Sequence, residues 1–207
     1  MSKPGLILIG AGGHARVCID VIEQHDQFAV AGLVGMPDEV HTRMLGYEVL
    51  ATDDALAELA GQFRYALVTV GQIASSALRM RLYEQALQLG FVLPAIIAPG
   101  AFVSRHASVG AGSIVMHGAI VNAGARIGYN CIVNTRAIVE HDAVLGDHCH
   151  LATGAILNGA VTVGAGSFVG SGSIVKQGIG IGARSIVGMG LSVRHDVADH
   201  ALFLGKP

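Results

Sequence analysis

"VNTRAIVEHDAVLGDHCHLATG" (residues 133–154) carries an aliphatic residue at every sixth position: Val133, Val139, Leu145 and Leu151. Extended in both directions, the series runs Ile97, Val103, Val109, Val115, Val121, Ile127, Val133, Val139, Leu145, Leu151, Leu157, Val163, Val169, Val175, Ile181, Val187, Val193, seventeen positions without a gap. Four residues after each of the first ten stands a small residue, among them Ala119, Ala125, Cys131, Ala143 and Cys149. A strict period of six is neither helical nor that of a simple strand; it signals a solenoid of repeated units. Each hexad supplies one short strand and one turn, and three hexads close a triangular coil of 18 residues. The aliphatic residue points into the prism and the small residue fits the crowded corner, while glycine serves tight turns. Residues 96–207 therefore read as a left-handed parallel β-helix of nearly six coils stacked at roughly 4.8 Å.

The same register assigns the outward residues. Preceding Ile97 and its 18-residue equivalents (face A) stand Ile114, Ile132, His150, Phe168 and Ile186. On the next face (B) stand Phe102, Ile120, Ile138, Ile156 and Ile174, and on the third (C) Ser108, Arg126, Val144, Thr162 and Gly180. Two outward apolar columns on one prism need covering, and a homotrimer, in which each prism meets two neighbours, is expected to cover both.

Residues 1–95 contain no hexads. They alternate apolar runs (GLILIG, FAVAGLVG, RYALVTVG, FVLPAII) with helical patterns. In HARVCIDVIEQH the expected buried face holds Val17, Val21 and Ile22; Thr52 or Asp53 could cap a helix in DDALAELAG; and Gly90 closes a long helix from about residue 73. Strand–helix alternation implies a small Rossmann-like α/β domain with a parallel sheet. Its first turn, Gly10-Ala11-Gly12-Gly13-His14-Ala15, has the form GxGxxA. It reads either as a tight strand-to-helix turn or as a phosphate seat at a helix N-terminus. An NAD site fits poorly. The acidic ribose ligand expected at the end of the second strand is replaced by Val34-Gly35, and the domain is only half of a dinucleotide fold. A single nucleotide, such as that of a nucleotide-sugar, fits better.

Composition excludes several classes. The 207 residues carry a formal charge of −2 with 14% charged residues, so neither nucleic acid nor an acidic membrane surface is an expected partner. No run approaches the roughly 18 apolar residues of a membrane span, and the N-terminus lacks the n-region and cleavage site of a signal peptide. Three cysteines, Cys18, Cys131 and Cys149, make no disulfide framework, and a reducing, cytoplasmic location is expected. Cys131 and Cys149 fall at small corner positions, where a structural role outweighs a reactive one.

The opening stretch also gathers His141, His148 and His150 with Glu140, Asp142 and Asp147. A zinc site needs convergent nitrogens, and no third ligand from another coil is evident, so no metal is expected. His141 is the third residue of its hexad, at a corner. The residues one coil below and above are Ala123 and Gly159, both small, which leaves room for a substrate beside a basic ring. Asp142 or Glu140 could hold one ring nitrogen and raise its basicity. His150 stands in an apolar column, a costly place for an idle polar ring. It reads as a ligand contact, or as a histidine bonded to a backbone carbonyl across an interface. His117, His148 and His195 read as surface or structural residues.

The combination of GAGGHA in a short α/β domain with a following hexapeptide β-helix that carries VNTRAIVEHD resembles the NeuD/PglD-type bacterial sugar acetyltransferases, over nearly the whole chain. The resemblance implies an acetyl-CoA-dependent trimer acting in surface glycan synthesis. The acceptor would be the amino group of a UDP- or GDP-linked deoxyamino sugar, or alternatively a hydroxyl of a sialic or related nonulosonic acid. It implies His141 as general base with Asp142 beside it. His150, Gly159, Ser171 and Met189 would contact the coenzyme, and Gly12, Gly13, His14, Val34, Gly35 and Gly71 would seat the nucleotide-sugar. Family members that bind such sugars often carry acidic residues where Val34-Gly35 stand. A different class of reading, a structural or regulatory β-helix that binds nucleotide without turnover, leaves a basic ring between two small residues without a purpose.

Overall fold

The computed structural model describes residues 3–205. The N-terminal part is built from β1 (Gly5–Ile9), α1 (Gly13–His25), β2 (Ala29–Val34), the short edge strand β3 (Arg43–Met44), β4 (Tyr47–Ala51), α2 (Leu56–Gln62), β5 (Tyr65–Val68) and α3 (Ala77–Gln88). The sheet order is β3-β4-β2-β1-β5, parallel except for the β3–β4 hairpin. From β1 the chain crosses to β2 on one side and later returns to β5 on the other. The carboxyl ends of β1 and β5 therefore flank a topological switch point, where α/β sheets bind ligands.

From Ile96 onward the strands are two residues long, and they form three sheets of seven, six and five strands, one per face of a left-handed prism. The pairings Ile114↔Ile132↔His150↔Phe168↔Ile186, Ile120↔Ile138↔Ile156↔Ile174 and Ser108↔Arg126↔Val144↔Thr162 all step by 18 residues, as the hexad register requires. After Val193 the period is lost. Val197 bridges Ile181 and Leu202 pairs with Ile186, each step only 16 residues, so the last coil is two residues short.

The corners obey two constraints. From Val109 to Val187 the third residue after each inward aliphatic takes a left-handed conformation; Gly118, Gly124, Asn130, Arg136, Asp142 and His148 all have φ between 50° and 76°. At the corner between faces C and A, a side chain on Gly110 or Gly146 would collide with the backbone of the next coil at 2.5–2.8 Å. The carbonyls of that crowded corner are answered from within: Ser113 Oγ donates to Gly128 O (2.7 Å), Cys131 Sγ to Gly146 O (3.1 Å), Cys149 Sγ to Gly164 O (3.1 Å) and Ser167 Oγ to Gly182 O (2.7 Å). The two cysteines thus continue a serine column. All three thiols are buried, and burial pushes Cys18 and Cys131 up to about 12 and Cys149 upward as well.

The α/β domain lies against face A of its own chain, and this corrects the expected role of one apolar column. Ile114 and Ile132 are each 1% exposed because Ala15, Cys18, Ile19 and Ile22 of α1 pack on them, together with Ile96 and Met116. They do not await a second subunit. His117 Nε2 meets Asp20 of α1 at 2.9 Å. The α3 side is fixed by Arg79, 1% exposed, whose guanidinium donates to Val70 O (2.9 Å) and to the carbonyl and side-chain oxygens of Asn130. Desolvation lowers Arg79 to about 10; oxygen dipoles rather than a carboxylate meet its two terminal nitrogens, while Nε is buried without a partner. Tyr83 OH donates to Ala111 O (3.4 Å). The column on face B, by contrast, stays open, with Phe102 57% and Ile174 44% exposed.

Three local expectations also change. Val17 is 39% exposed, and Ile19 and Cys18 take the buried face with Val21 and Ile22. Thr52 precedes a 3-10 turn (Asp53–Ala55) and makes no side-chain cap. The run FVLPAII adds no strand to the α/β sheet: Val92 makes a single bridge to Tyr65, and Ile96-Ile97 begins face A by pairing with Ile114-Val115. Pro94 breaks the run between them.

The serine–cysteine column yields a stability test. Cys149→Ser keeps a donor for Gly164 O and should stay within about 1 kcal/mol of the parent chain. Cys149→Val strands that carbonyl and overfills the corner, costing about 2–4 kcal/mol. Denaturant unfolding of the two variants measures the difference.

Candidate active site

Two separate sites emerge. The first is a cavity of about 700 Å³ at the switch point, lined by Gly10 to His14, Val34 to Met36, Glu39, Asp53, Thr69 to Gly71, Leu78, Arg81 and Leu82. All six residues expected to seat a nucleotide-sugar (Gly12, Gly13, His14, Val34, Gly35 and Gly71) border it. Its glycines divide by role. Gly10 has φ +118°, and a Cβ there would strike Val70; at Gly35 a Cβ would strike the Glu39 carboxylate at 2.7 Å. Those two shape the fold. At Gly12 and Gly13 a Cβ would meet nothing within 4 Å, so neither glycine is demanded by packing, and both leave the cavity wall bare. Gly12 begins α1 without a side-chain cap and without an acidic residue in the first turn. The first N–H groups of the helix thus have no side-chain acceptor, an arrangement that suits an anion.

Glu39, Asp53 and Arg81 also stand at this cavity and were not evident from the chain alone. Glu39 Oε2 accepts from Met36 N (2.8 Å), and Arg81 pairs with Asp53 at 3.2 Å. Arg81 shares α3 with the buried Arg79, and nothing in the helical pattern distinguishes the pocket arginine from the structural one.

The second site is the corner between faces B and C. Asp142 occupies the left-handed position of the turn (φ 59°), which folds its carboxylate back so that Oδ2 lies 3.0 Å from His141 Nδ1. Gly124, one coil below, leaves the space this carboxylate needs. Glu140 faces elsewhere, accepting from Asn122 Nδ2 at 2.8 Å. Asp142, then, is the residue that orients the ring. The space above Gly159 is not vacant: a Cβ there would lie 2.5 Å from His141 Nε2, so the imidazole lies over the glycine. Nδ1–H donates to Asp142, which leaves the lone pair on Nε2, and the ring is exposed.

His150 belongs to neither opening. It is buried beneath the 72–76 loop, with Nδ1 donating to Gln72 O (2.8 Å) and Nε2 accepting from Asn134 Nδ2 (3.2 Å). Its ring abuts Phe168 edge-on at 5.2 Å and lies 6.3 Å from that of His14, whose Nε2 is buried without a partner. The carbonyl bond is therefore made within one chain. Ser171 and Met189 sit on the corner between faces A and B, Met189 79% exposed. His148 bonds Asn130 and packs on Tyr83. Among the described residues no cluster of three or more His, Cys, Asp or Glu could hold a metal ion, and no helix is long and apolar enough to cross a membrane.

Residues 5–86 match the PglD N-terminal domain family. Over the whole chain, an asparagine-for-histidine mutant of perosamine N-acetyltransferase from Caulobacter crescentus, in complex with CoA and GDP-perosamine, is 38% identical, with 96% of this chain and 92% of that one covered at a TM-score of 0.89. The chain belongs to the NeuD/PglD-type family of bacterial sugar acetyltransferases. The acetyltransferase also matches the acetyltransferase domain of PglB from Neisseria gonorrhoeae FA1090, in complex with acetyl coenzyme A, at 33% identity, full coverage of both chains and a TM-score of 0.88. WeeI from Acinetobacter baumannii AYE, 22% identical with 98% of each chain covered and a TM-score of 0.83, shares the fold. A comparison with curated sequences finds no match.

The junction histidines of the acetyltransferase make its stability depend on pH. Desolvation, aided by the Arg79 charge, holds His14 at about 3 and His150 at about 4. Both must stay neutral in the folded chain, whereas the unfolded chain protonates them near 6.5. Stability is therefore complete above pH 6.5 and is lost as pH falls toward 4, at about 1.4 kcal/mol per pH unit for each ring. Tm should fall steadily between pH 6.5 and 4.5. In His150→Gln, which keeps a donor for Gln72 O, the slope should shrink by about one proton.

Proposed function

We propose that this acetyltransferase moves the acetyl group of acetyl-CoA to the amino group of a nucleotide-linked deoxyamino sugar, with His141 as general base, in the synthesis of a surface glycan. The observation that carries the reading is the imidazole of His141, set over Gly159 with Nδ1 held by Asp142 and Nε2 free. The two relatives that are at least 33% identical support the donor and acceptor class: one is named for N-acetylation of perosamine and holds GDP-perosamine, the other holds acetyl coenzyme A.

The chemistry follows from that geometry. The substrate amine attacks the thioester carbonyl, and His141 Nε2 accepts the proton the nitrogen sheds as the C–N bond forms. Asp142 favours the resulting imidazolium. The tetrahedral oxyanion collapses, the C–S bond breaks, and the departing coenzyme thiolate recovers the proton. No acyl-enzyme is needed, and the buried, protonated thiols of Cys131 and Cys149 are unsuited to form one.

In one chain the nucleotide cavity lies on the side of face A, while His141 lies on the corner between faces B and C. A homotrimer supports the reading. The exposed column Phe102, Ile120, Ile138, Ile156 and Ile174 is the apolar surface left for neighbours. Threefold packing about it sets the Gly159 corner of one copy beside the Ser171 and Met189 corner of the next, with the coenzyme between them. We assign His150, whose nitrogens are both engaged, to holding the Gln72 loop beside that path. Sedimentation equilibrium at micromolar concentration should return three times the 21.3 kDa chain mass.

His141→Ala should lower kcat by roughly 10²–10⁴ with both KM values little changed. Asp142→Asn should cost less, since it removes orientation and a favourable charge but leaves the base. His148→Ala should turn over close to wild type. Thiol release from acetyl-CoA, with a panel of UDP- and GDP-linked amino sugars as acceptors, measures all three. Near-normal turnover in His141→Ala would overturn the mechanism.

A further inference from the structure

The end of β2 offers no acid of its own. In a nucleotide-binding α/β unit a carboxylate at that place takes a ribose hydroxyl, and Val34-Gly35 stand there instead. The turn that follows returns a carboxylate to the same spot. Met36 N donates to Glu39 Oε2 (2.8 Å) while Glu39 N donates to Met36 O (2.9 Å), so the 36–39 turn is closed from both sides. The carboxylate thereby lies over Gly35. A Cβ on that glycine would stand 2.7 Å from Glu39 Oε2 and 3.0 Å from the Cβ of Ala11, which belongs to the Gly-rich turn before α1. Glu39 thus places its charge beside both the end of β2 and that turn.

The second oxygen of this carboxylate is open. The cavity holds two carboxylates, Glu39 and Asp53. Asp53 pairs with Arg81 at 3.2 Å, whereas among the described residues Glu39 forms no ion pair and its Oε1 accepts no hydrogen bond. The Thr69 hydroxyl cannot serve it, since it donates to Gly10 O (2.7 Å). An unpaired carboxylate repels an anionic ligand unless the ligand presents donors to it. Beyond Glu39, the exposed side chains of Met36 and Leu78 give the mouth of the cavity apolar lips that suit the faces of a base.

We propose that Glu39 Oε1 accepts a hydrogen bond from the ribose 2′-hydroxyl and so confines the acceptor to sugars carried on a ribonucleoside diphosphate, excluding those carried on a 2′-deoxynucleoside diphosphate. The inference rests on the reading above, in which the switch-point cavity seats the acceptor's nucleotide. With the phosphates at the first N–H groups of α1, the pentose is the next unit of the ligand and falls beside Gly35; the base follows between Met36 and Leu78. A 2′-hydroxyl gives the carboxylate a charge-assisted bond. A 2′-deoxy carbon leaves the same carboxylate desolvated and unmet.

Calorimetric titration of GDP, dGDP, UDP and dUDP into the wild-type chain tests this without turnover. The ribonucleotide should bind roughly tenfold to a hundredfold more tightly than its 2′-deoxy counterpart, the loss of one hydrogen bond to a charged group. Glu39→Gln keeps an acceptor for Met36 N, so the turn persists, but it replaces the open oxygen with a donor. In that variant the ratio should shrink to within about threefold. Equal binding of ribo- and deoxynucleotide by the wild type overturns the assignment, as does a ratio that survives in Glu39→Gln, or a failure of all four nucleotides to bind. If thiol release proceeds with amino sugars on either kind of nucleotide alike, the reaction assigned above stands and the role of Glu39 falls. If the ratio is found and lost as expected but no amino sugar releases thiol from acetyl-CoA, Glu39 keeps its role and that reaction falls.

Discussion

The spacing of one parallel coil upon the next governs this molecule. Successive strands must lie about 4.8 Å apart to exchange hydrogen bonds, and three strands must close in 18 residues. At the corners this leaves no room for ordinary side chains, so Gly110 and Gly146 are bare, and Ser113, Cys131, Cys149 and Ser167 are small enough to enter yet able to answer the carbonyls of the next coil. Chemistry is possible at the same corners because their third and fourth residues are thrown outward and into the left-handed region. At one of them that geometry produces an imidazole with its own carboxylate, from adjacent residues in the chain.

The α/β domain uses the prism as a platform. Face A gives α1 an apolar bed at Ile114 and Ile132, and a buried arginine fixes α3 to the turn at Asn130. A guanidinium removed from water is costly unless its donors are met. Arg79 meets carbonyl oxygens on both sides of the junction, which ties the position of the switch-point cavity to the coils. His150 serves the same junction from below: a neutral ring bonded to Gln72 and Asn134 ties the 72–76 loop to the coils. Fixing the junction with neutral histidines makes it sensitive to acid.

The glycines divide by what a side chain would meet. Where a Cβ would meet Val70 or Glu39, the fold itself requires glycine; at Gly12 and Gly13 it would meet open space, so the fold does not require glycine there. The same contrast holds at the corners. Gly159 carries no side chain because the His141 ring lies over it, so its bareness sets where that imidazole rests.

The β-helix, its register and the outward columns were all legible in the chain, because a period of six with an inward aliphatic residue has no other solution in space. The His141 corner was legible for the same reason: residue 159 follows residue 141 by one coil, and the turn that exposes one presents the other. The strand-to-helix turn at Gly12 could be read from its glycines alone. What covers each column could not, since an outward isoleucine looks the same whether a helix of its own chain or a neighbouring prism lies upon it, and only the docking of α1 decides for Ile114 and Ile132. Nor could the chain separate Asp142 from Glu140, or Arg79 from Arg81. The members of each pair stand two positions apart, and backbone direction, a left-handed φ in the first and about half a turn of helix in the second, sends each member to a different environment.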